Sequence, residues 1–516
     1  MFTKVQSFGV IGIDCFPVDV EVDISAGAMP SFDIVGLPDT AVKESKDRVK
    51  TALKNSRLAY PTAKITVNLA PADIKKVGAL YDLPILLGIL LSSGQVTSDI
   101  SSSAFIGELS LSGEVKPVGG VLPMVLKAKE MGIKSVFVPE GNSVEASIVK
   151  DISVFPVRSA KELILHLTDI SHINPMPEFK PLELRNQYPD FSDVKGQFMA
   201  RRGLEIAAAG AHNALLLGPP GSGKSMMAKR LPGILPEMTY EEQIESTKVY
   251  SVCGITTNEH PLVMRRPFRD PHHTISPAGL AGGGANPQPG EISKAHNGVL
   301  FLDELPEFNK TAMEILRQPL EDNKVTISRA SGSVTYPCSI MFVAAMNPCP
   351  CGYFGDPSNR CTCSDGQVLR YLSKVSGPLL DRIDIHLEVS SVKYEELSDS
   401  EKGETSEAIR ARVQKARKIQ QKRFEGLSIY ANSQIPSGLM EKFCPMSENA
   451  KKILGVAFDK LGLSARAYDR IIKVARTIAD LDESEIIEEK HITESLGYRG
   501  LDRKYFRLSK SAASFL

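Results

Sequence analysis

Residues 218–225 read Gly-Pro-Pro-Gly-Ser-Gly-Lys-Ser, set between the apolar run Ala214-Leu215-Leu216-Leu217 and the run Ser225-Met226-Met227-Ala228-Lys229-Arg230. A buried strand that turns into a helix through so many glycines leaves few architectures open, and the P-loop pattern fits. Gly218, Pro219, Pro220, Gly221, Ser222 and Gly223 form a turn whose backbone N–H groups can close around phosphate oxygens. The positive end of the helix dipole lies behind that turn. Lys224 is then placed to reach the β- and γ-phosphates of ATP, and the Ser225 hydroxyl to ligate Mg²⁺. A glycine-rich turn without a ligand is the alternative, and the agreement of strand, loop and helix weighs against it.

A second run, Gly298-Val299-Leu300-Phe301-Leu302-Asp303-Glu304, is apolar until it ends in two carboxylates. That is the form of a buried strand delivering acids to its C-terminal tip. Asp303 is expected to hold Mg²⁺ through its waters, and Glu304 to orient and deprotonate an attacking water.

Length and charge bound the rest. A chain of 516 residues with an apolar fraction of 42% has room for two to four packed domains. Lys plus Arg equals Asp plus Glu at 61 each, so no global basic field advertises nucleic acid, and any such contact must be local. Met1 to Ser25 mixes charges with apolar residues and has no long apolar core, so it does not read as a signal peptide. The longest apolar run, Leu83 to Leu91, is too short to span a bilayer, and no membrane association is expected. Eight cysteines without a secretion signal point to a reducing cytoplasm, where clustered thiols mean metal more often than disulfides.

Three regions emerge. Residues 1–168 alternate strand-like and helix-like runs and read as an α+β domain. Residues 169–189, with Pro175, Pro177 and Pro181, read as an extended linker. Residues 190–392 carry the phosphate loop and the acidic strand, and residues 393–516 are helical in pattern and rich in charge.

The order Asp190-Phe191-Ser192-Asp193-Val194-Lys195-Gly196-Gln197, P-loop, Asp303-Glu304, Asn347 and Leu379-Leu380-Asp381-Arg382 resembles an AAA+ ATPase. Arg269-Asp270-Pro271-His272-His273-Thr274, Gly282-Gly283-Gly284 and Asn347-Pro348-Cys349-Pro350-Cys351-Gly352 narrow the resemblance to the magnesium-chelatase-like ComM/YifB family of bacteria. The match covers essentially the whole chain. It implies a multidomain α/β, cytoplasmic, ring-forming protein, a hexamer by expectation. It also implies an activity on single-stranded or branched DNA: branch migration during natural transformation, alongside other recombination proteins. A remodelling motor related to magnesium chelatase, acting on a protein or metal-insertion partner, is the rival. An adaptor that binds ATP without turnover is a third reading, and Lys224, Asp303, Glu304 and Arg382 argue against it.

The resemblance assigns further roles. Val194 and Gln197 fall among the nucleotide contacts. Asn347, closing the apolar run Ile340 to Met346, matches the sensor-1 residue that bonds the attacking water or γ-phosphate, with a loop-capping role as the alternative. Arg382 matches an arginine finger acting in the neighbouring subunit's site, with an ordinary salt-bridged residue as the alternative. Arg466, in Ser464-Ala465-Arg466-Ala467, resembles a sensor-2 arginine reaching back from a helical lid of the magnesium-chelatase C-terminal type.

Pro267 to His296 resembles the helix-2 insert that faces the ring channel, with His272 and His273 assigned to DNA or subunit contact rather than catalysis. A hairpin signal over Lys324 to Tyr336 presents Arg329 near its tip as a second channel candidate, or as one solvated arginine on a structural hairpin. Thr405 to Phe424 is strongly basic, and Arg417 and Lys418 are its candidate DNA contacts; a solvated surface helix is the equal alternative. Cys349, Cys351, Cys361 and Cys363 complete a tetrahedral thiolate set for structural Zn²⁺, with free thiols as the alternative. Gly107 to Gly120 resembles the proteolytic domain of Lon-type proteases. The stretches matching its catalytic serine and lysine read Gly78-Ala79-Leu80-Tyr81-Asp82-Leu83-Pro84 and Val121-Leu122-Pro123-Met124, so a Lon-like fold without peptidase chemistry is expected.

Overall fold

The computed structural model describes residues 2–25, 27, 29–181, 188–284, 286–329, 332–356, 360–391, 403–501 and 505. The second part of the expected linker, the turn Ala330-Ser331, the middle of the cysteine loop and the boundary at 392/393 lie outside these residues.

The chain forms two compact units. The first holds a seven-stranded sheet in the order Ser31–Val35, Lys64–Ala70, Asp14–Ser25, Phe2–Ile11, Ser103–Phe105, Ser135–Pro139, Ser153–Val157. Strand Lys64–Ala70 alternates strictly, with Ile65, Val67 and Leu69 buried. That is what a period of two gives when one face is covered. The helix Asp82–Ser92 is buried along its whole length, as its run of leucines and isoleucines requires. Buried Asp82 at its start is held by the Arg48 guanidinium at 2.7 Å and accepts from the Leu109 amide.

This first unit differs from the division read in the sequence. It extends to Glu183 and also takes in Tyr240–Met264 and Val334–Tyr336. Ile244 and Leu262 are buried in a core with Leu122, Val125 and Ala146, and the Gly120 amide donates to the Ser251 carbonyl at 2.8 Å. The first half of the expected linker is likewise docked. Ile173 is buried, and the Met176 amide bonds the Val154 carbonyl at 2.7 Å.

The second unit is built on a five-stranded sheet in the order Phe268–Arg269, Val299–Leu302, Met341–Met346, Ala214–Leu217, Ile385–Glu388, every neighbouring pair parallel. The three central strands are buried throughout, as strands covered on both faces must be. The helix Ser406–Arg423, capped by Thr405, packs Ile409, Val413 and Ala416 into the same core as this sheet. The C-terminal helices Glu448–Leu461, Ala465–Leu481 and Glu489–Gly497 complete the unit, each amphipathic with its apolar face inward.

Candidate functional site

Because its strands are parallel, the sheet ends several of them at one edge, and that edge gathers the polar residues. Leu217 pairs with Met346 in register, so the phosphate loop and Asn347 leave the sheet side by side. A Cβ on Gly218 would meet the Val389 carbonyl oxygen at 2.0 Å, so only glycine fits there, and Gly221 and Gly223 hold φ of +74° and +91°. Gly223 opens the helix Lys224–Arg230, whose first-turn amides face the loop.

Lys224 Nζ donates to the Gly218 and Pro219 carbonyls at 2.8 Å each and to Asn347 Oδ1 at 3.1 Å. Burial pushes its pKa down to about 8, against the opposing pull of Asp303 and Glu304. A bound polyphosphate would supply the anion this ammonium lacks. Ser225 Oγ donates to Asp303 Oδ2 at 2.5 Å, so the two expected Mg²⁺ groups touch. Glu304 sits in the left-handed backbone region at φ 52°, and its carboxyl is 60% exposed beside the loop. The strained turn lifts the carboxylate out of the strand line. Val194 is fully buried in the core, and Gln197 donates from Nε2 to the Ser390 carbonyl at 2.6 Å. Gln197 and Ser390 line an open cleft of about 720 Å³ with Phe198, Glu388, Tyr498 and Leu501, large enough for an aromatic base.

Arg382 lies elsewhere. It precedes Ile385–Glu388, and its carbonyl accepts from Asn213, just before Ala214–Leu217, so it sits at the sheet edge opposite the phosphate loop. Its side chain is 8% exposed, bonds the Pro378 carbonyl at 2.6 Å and pairs with Glu321 at 2.5 Å. Arg466 joins it there, 3.5 Å from the same Glu321 carboxylate. In the single chain Arg466 thus stands beside Arg382 and Glu321. Arg470 and Arg476 on its helix are taken by Asp384 and Asp480, which leaves Arg466 62% exposed.

The basic helix is corrected. Arg417 is 5% exposed and donates to the Ala208 and Tyr430 carbonyls, so it is a packing residue. Arg412 is spent on Glu205 and Glu404, and Arg423 on Asp480, whereas Lys418 stays exposed. Sequence charge alone did not separate the two roles, because Arg417 lies on the same helical stripe as Val413 and Gln420.

Strands Lys324–Arg329 and Gly332–Pro337 pair as a ribbon with Arg329 exposed. The insert approaches that ribbon: a Cβ on Gly282 would fall 2.8 Å from Ile327 Cδ1, and one on Gly283 would fall 3.4 Å from Arg329 Nη2. The two expected channel elements are thus neighbours. His273 Nδ1 stands 3.9 Å from Glu304 Oε2, and the His272 ring lies 4.1 Å from that of His273.

The Sγ atoms of Cys349, Cys351, Cys361 and Cys363 all lie within 4.8 Å of one another. The Cys349–Cys351, Cys351–Cys361 and Cys349–Cys361 separations are 3.3, 3.6 and 3.8 Å. A tetrahedral ion with metal–sulfur bonds of ~2.3 Å needs sulfurs ~3.8 Å apart, so the set fits a metal. Burial opposes ionisation of Cys351, but the amides of Tyr353 and Thr362 and the neighbouring thiols bring it down to about 6. Burial and the Cys351 sulfur push Cys349 up to about 12. The loop abuts the phosphate site, since a Cβ on Gly352 would fall 2.4 Å from Pro220 Cδ.

Phosphate loop, acid-tipped strand and polar sensor on one edge of a parallel sheet define a nucleotide-site protein of the AAA+-like class. The profile described as magnesium chelatase, subunit ChlI, matches residues 190–397, its C-terminal counterpart matches 403–499, and a further ChlI profile matches 20–142. Competence protein ComM of Haemophilus influenzae is 43% identical over 98% of this chain and 99% of its own length. The YifB protein of Escherichia coli is 42% identical over 98% of both. The chain belongs to the magnesium-chelatase-like ComM/YifB family. Lon protease 2 of Bacillus subtilis is 31% identical over 182 residues, 32% of each chain.

Proposed function

We propose that the chain is an ATP-hydrolysing AAA+ motor acting on single-stranded or branched DNA, working in the cytoplasm as a ring of six copies. The observation that supports hydrolysis best is the 2.5 Å contact of Ser225 with Asp303, with Lys224 on Asn347 alongside. These contacts support the reading because the groups proposed as Mg²⁺ ligands, phosphate lysine and water sensor lie close together. In this reading Ser225 and Asp303 hold Mg²⁺, Lys224 and the loop amides hold ATP, Asn347 places the water, and Glu304 takes its proton. Arg382 and Arg466, at the far edge of the sheet, would serve the neighbouring copy, and Glu321 keeps them together in the single chain.

The DNA reading rests on the neighbouring insert and Arg329 ribbon, and on kinship with a protein named for competence. Branch migration in recombination is the task such a ring would perform, and the first unit would serve assembly or DNA contact without peptidase activity. ATPase rate with and without single-stranded, duplex and four-way-junction DNA tests the reading. We expect stimulation by single-stranded or junction DNA, and junction resolution only with hydrolysable ATP. Arg329→Ala should weaken binding to every sequence and reduce the salt slope by about one unit. A sound basal ATPase that no DNA form stimulates or binds at low salt would replace the DNA motor with the remodelling one.

We assign the four thiols to structural zinc. Metal analysis of protein purified without added zinc is expected to give one ion per chain, lost in the Cys361→Ser, Cys363→Ser double variant. A metal-free, folded parent chain would make them free thiols.

A further inference from the structure

Arg412, Lys415 and Arg423 of the basic helix Ser406–Arg423 are spent on carboxylates. The first unit holds a helix whose lysines are not. Thr40–Lys43 and Ser45–Asn55 follow each other with Glu44 still in the right-handed helical region, so the two form one rod. Val42, Val49, Ala52 and Leu53 are buried along one side of it, in the core that also holds Leu83 and Leu86. Arg48 fastens the rod, donating to the carboxylate of buried Asp82 at 2.7 Å and to the Ala41 carbonyl at 2.8 Å. Its rotation about its own axis is thereby set.

What remains toward water is a stripe of lysines. Lys43, Lys46, Lys50 and Lys54 recur at steps of three and four, so they stand in line on one face of the rod. All four are exposed, and Arg57, also exposed, follows just past the helix end. None of the five has an ion pair among the described residues. Asp47 is the one acid on the stripe, between Lys43 and Lys50, and Glu44 is turned to Arg48 at 3.7 Å. At a rise of ~1.5 Å per residue, the line from Lys43 to Lys54 is ~16 Å long. In a chain of formal net charge +0 such a surplus is a local and directed field.

The chemistry of the stripe selects its occupant. Cations at helical spacing on a convex rod can lie along a row of phosphates, since duplex DNA offers one negative charge per ~1.7 Å of its axis. A single strand is held instead in a basic groove with aromatic side chains on which bases stack. Among the described residues the one aromatic ring that meets the stripe is Tyr60, and Lys50 covers it with Nζ 5.5 Å from the centroid. The face thus offers phosphate contact without a stacking platform.

We propose that the rod from Thr40 to Asn55 is a track for the phosphate backbone of duplex DNA, formed by Lys43, Lys46, Lys50 and Lys54 with Arg57. The inference rests on the DNA reading proposed above and gives the first unit a defined task. It holds a duplex arm without regard to sequence, while single-stranded DNA is left to the insert and the Arg329 ribbon.

The test uses the full-length chain, a blunt duplex and an oligothymidylate single strand. Lys43→Gln, Lys46→Gln and Lys54→Gln are combined, which leaves Lys50 on Tyr60 and keeps helix propensity. We expect duplex affinity to fall ~10-fold or more and its salt slope to flatten by about 2.7 units, since each lost phosphate contact removes ~0.9. Single-strand binding, basal ATPase rate and melting temperature should stay parental. Lys43→Arg, Lys46→Arg and Lys54→Arg together should keep the parental slope. So should a control that removes the same charge from lysines already paired, Lys127→Gln, Lys129→Gln and Lys150→Gln, whose partners are Glu130, Asp151 and Glu178.

An unchanged duplex slope in the folded triple variant would overturn the proposal, as would equal flattening by the control. An equal loss on the single strand would overturn the choice of duplex. Phosphatidylserine vesicles bound by the parent chain and released by the triple variant, with duplex binding intact, would give the face to lipid instead. A parent chain that binds the single strand alone removes the track and leaves the DNA reading standing. One that binds neither form at low salt is the failure of that reading itself, seen before any variant is made.

Discussion

Glu304→Gln should bind ATP as the parent chain does and turn it over at least ~10²-fold more slowly, because the amide keeps the shape and removes the base. In the proposed roles, binding and chemistry fall to different residues. Ser225 is bonded to Asp303 and Lys224 to Asn347, and Glu304 stands outside both pairs, exposed on a left-handed turn. Lys224→Ala gives the opposite pattern. It removes the ammonium that bridges two loop carbonyls and the sensor amide, so ATP affinity itself should collapse. Fluorescent-nucleotide binding and phosphate release, measured on both variants, check the split. Near-parental turnover by Glu304→Gln would remove Glu304 from the base role.

Arg382→Ala should lose ~10³-fold or more in turnover while still binding ATP, the scale at which an arginine finger acts. Arg382 sits a full strand length from its own phosphate loop, paired with Glu321, so a finger role would have to be played toward a neighbouring copy and a salt-bridged structural role is the alternative. Mixing Arg382→Ala with Lys224→Ala subunits should restore part of the rate, since a hybrid interface joins an intact loop to an intact arginine. Arg466→Ala is expected to behave like Arg382→Ala in such mixtures. Mixed rings that form and stay inactive would confine both arginines to their own chain.

The reacting edge was legible in the sequence because its signals are local. A phosphate loop needs glycines at fixed spacing, and a strand that carries acids to its tip shows them after an apolar run. The placements that sequence reasoning did not foresee depend on contacts between distant segments. Arg417 looks like its solvated neighbour Lys418 until the helix is docked on the one containing Ala208. The nearness of Arg466 to Glu321, far upstream, likewise has no sign along the chain. The His273 position follows from strand order, which places Phe268–Arg269 next to Val299–Leu302, and no spacing along the chain encodes that neighbour. The cysteine set was found from spacing alone, since all four ligands fall within one short loop.

The membership of Tyr240–Met264 and Val334–Tyr336 in the first unit has a consequence for biosynthesis. A chain made from its N-terminus outward cannot finish that unit when residue 183 emerges, because Ile244 and Leu262 of its core are still to come. The nascent first unit must wait, with part of its apolar interior uncovered, while the phosphate loop is translated. This is an interval in which a holding chaperone has a surface to bind. Maturation of the two units is therefore interleaved rather than sequential, and a fragment beginning at residue 190 would carry a helix made for a core it lacks.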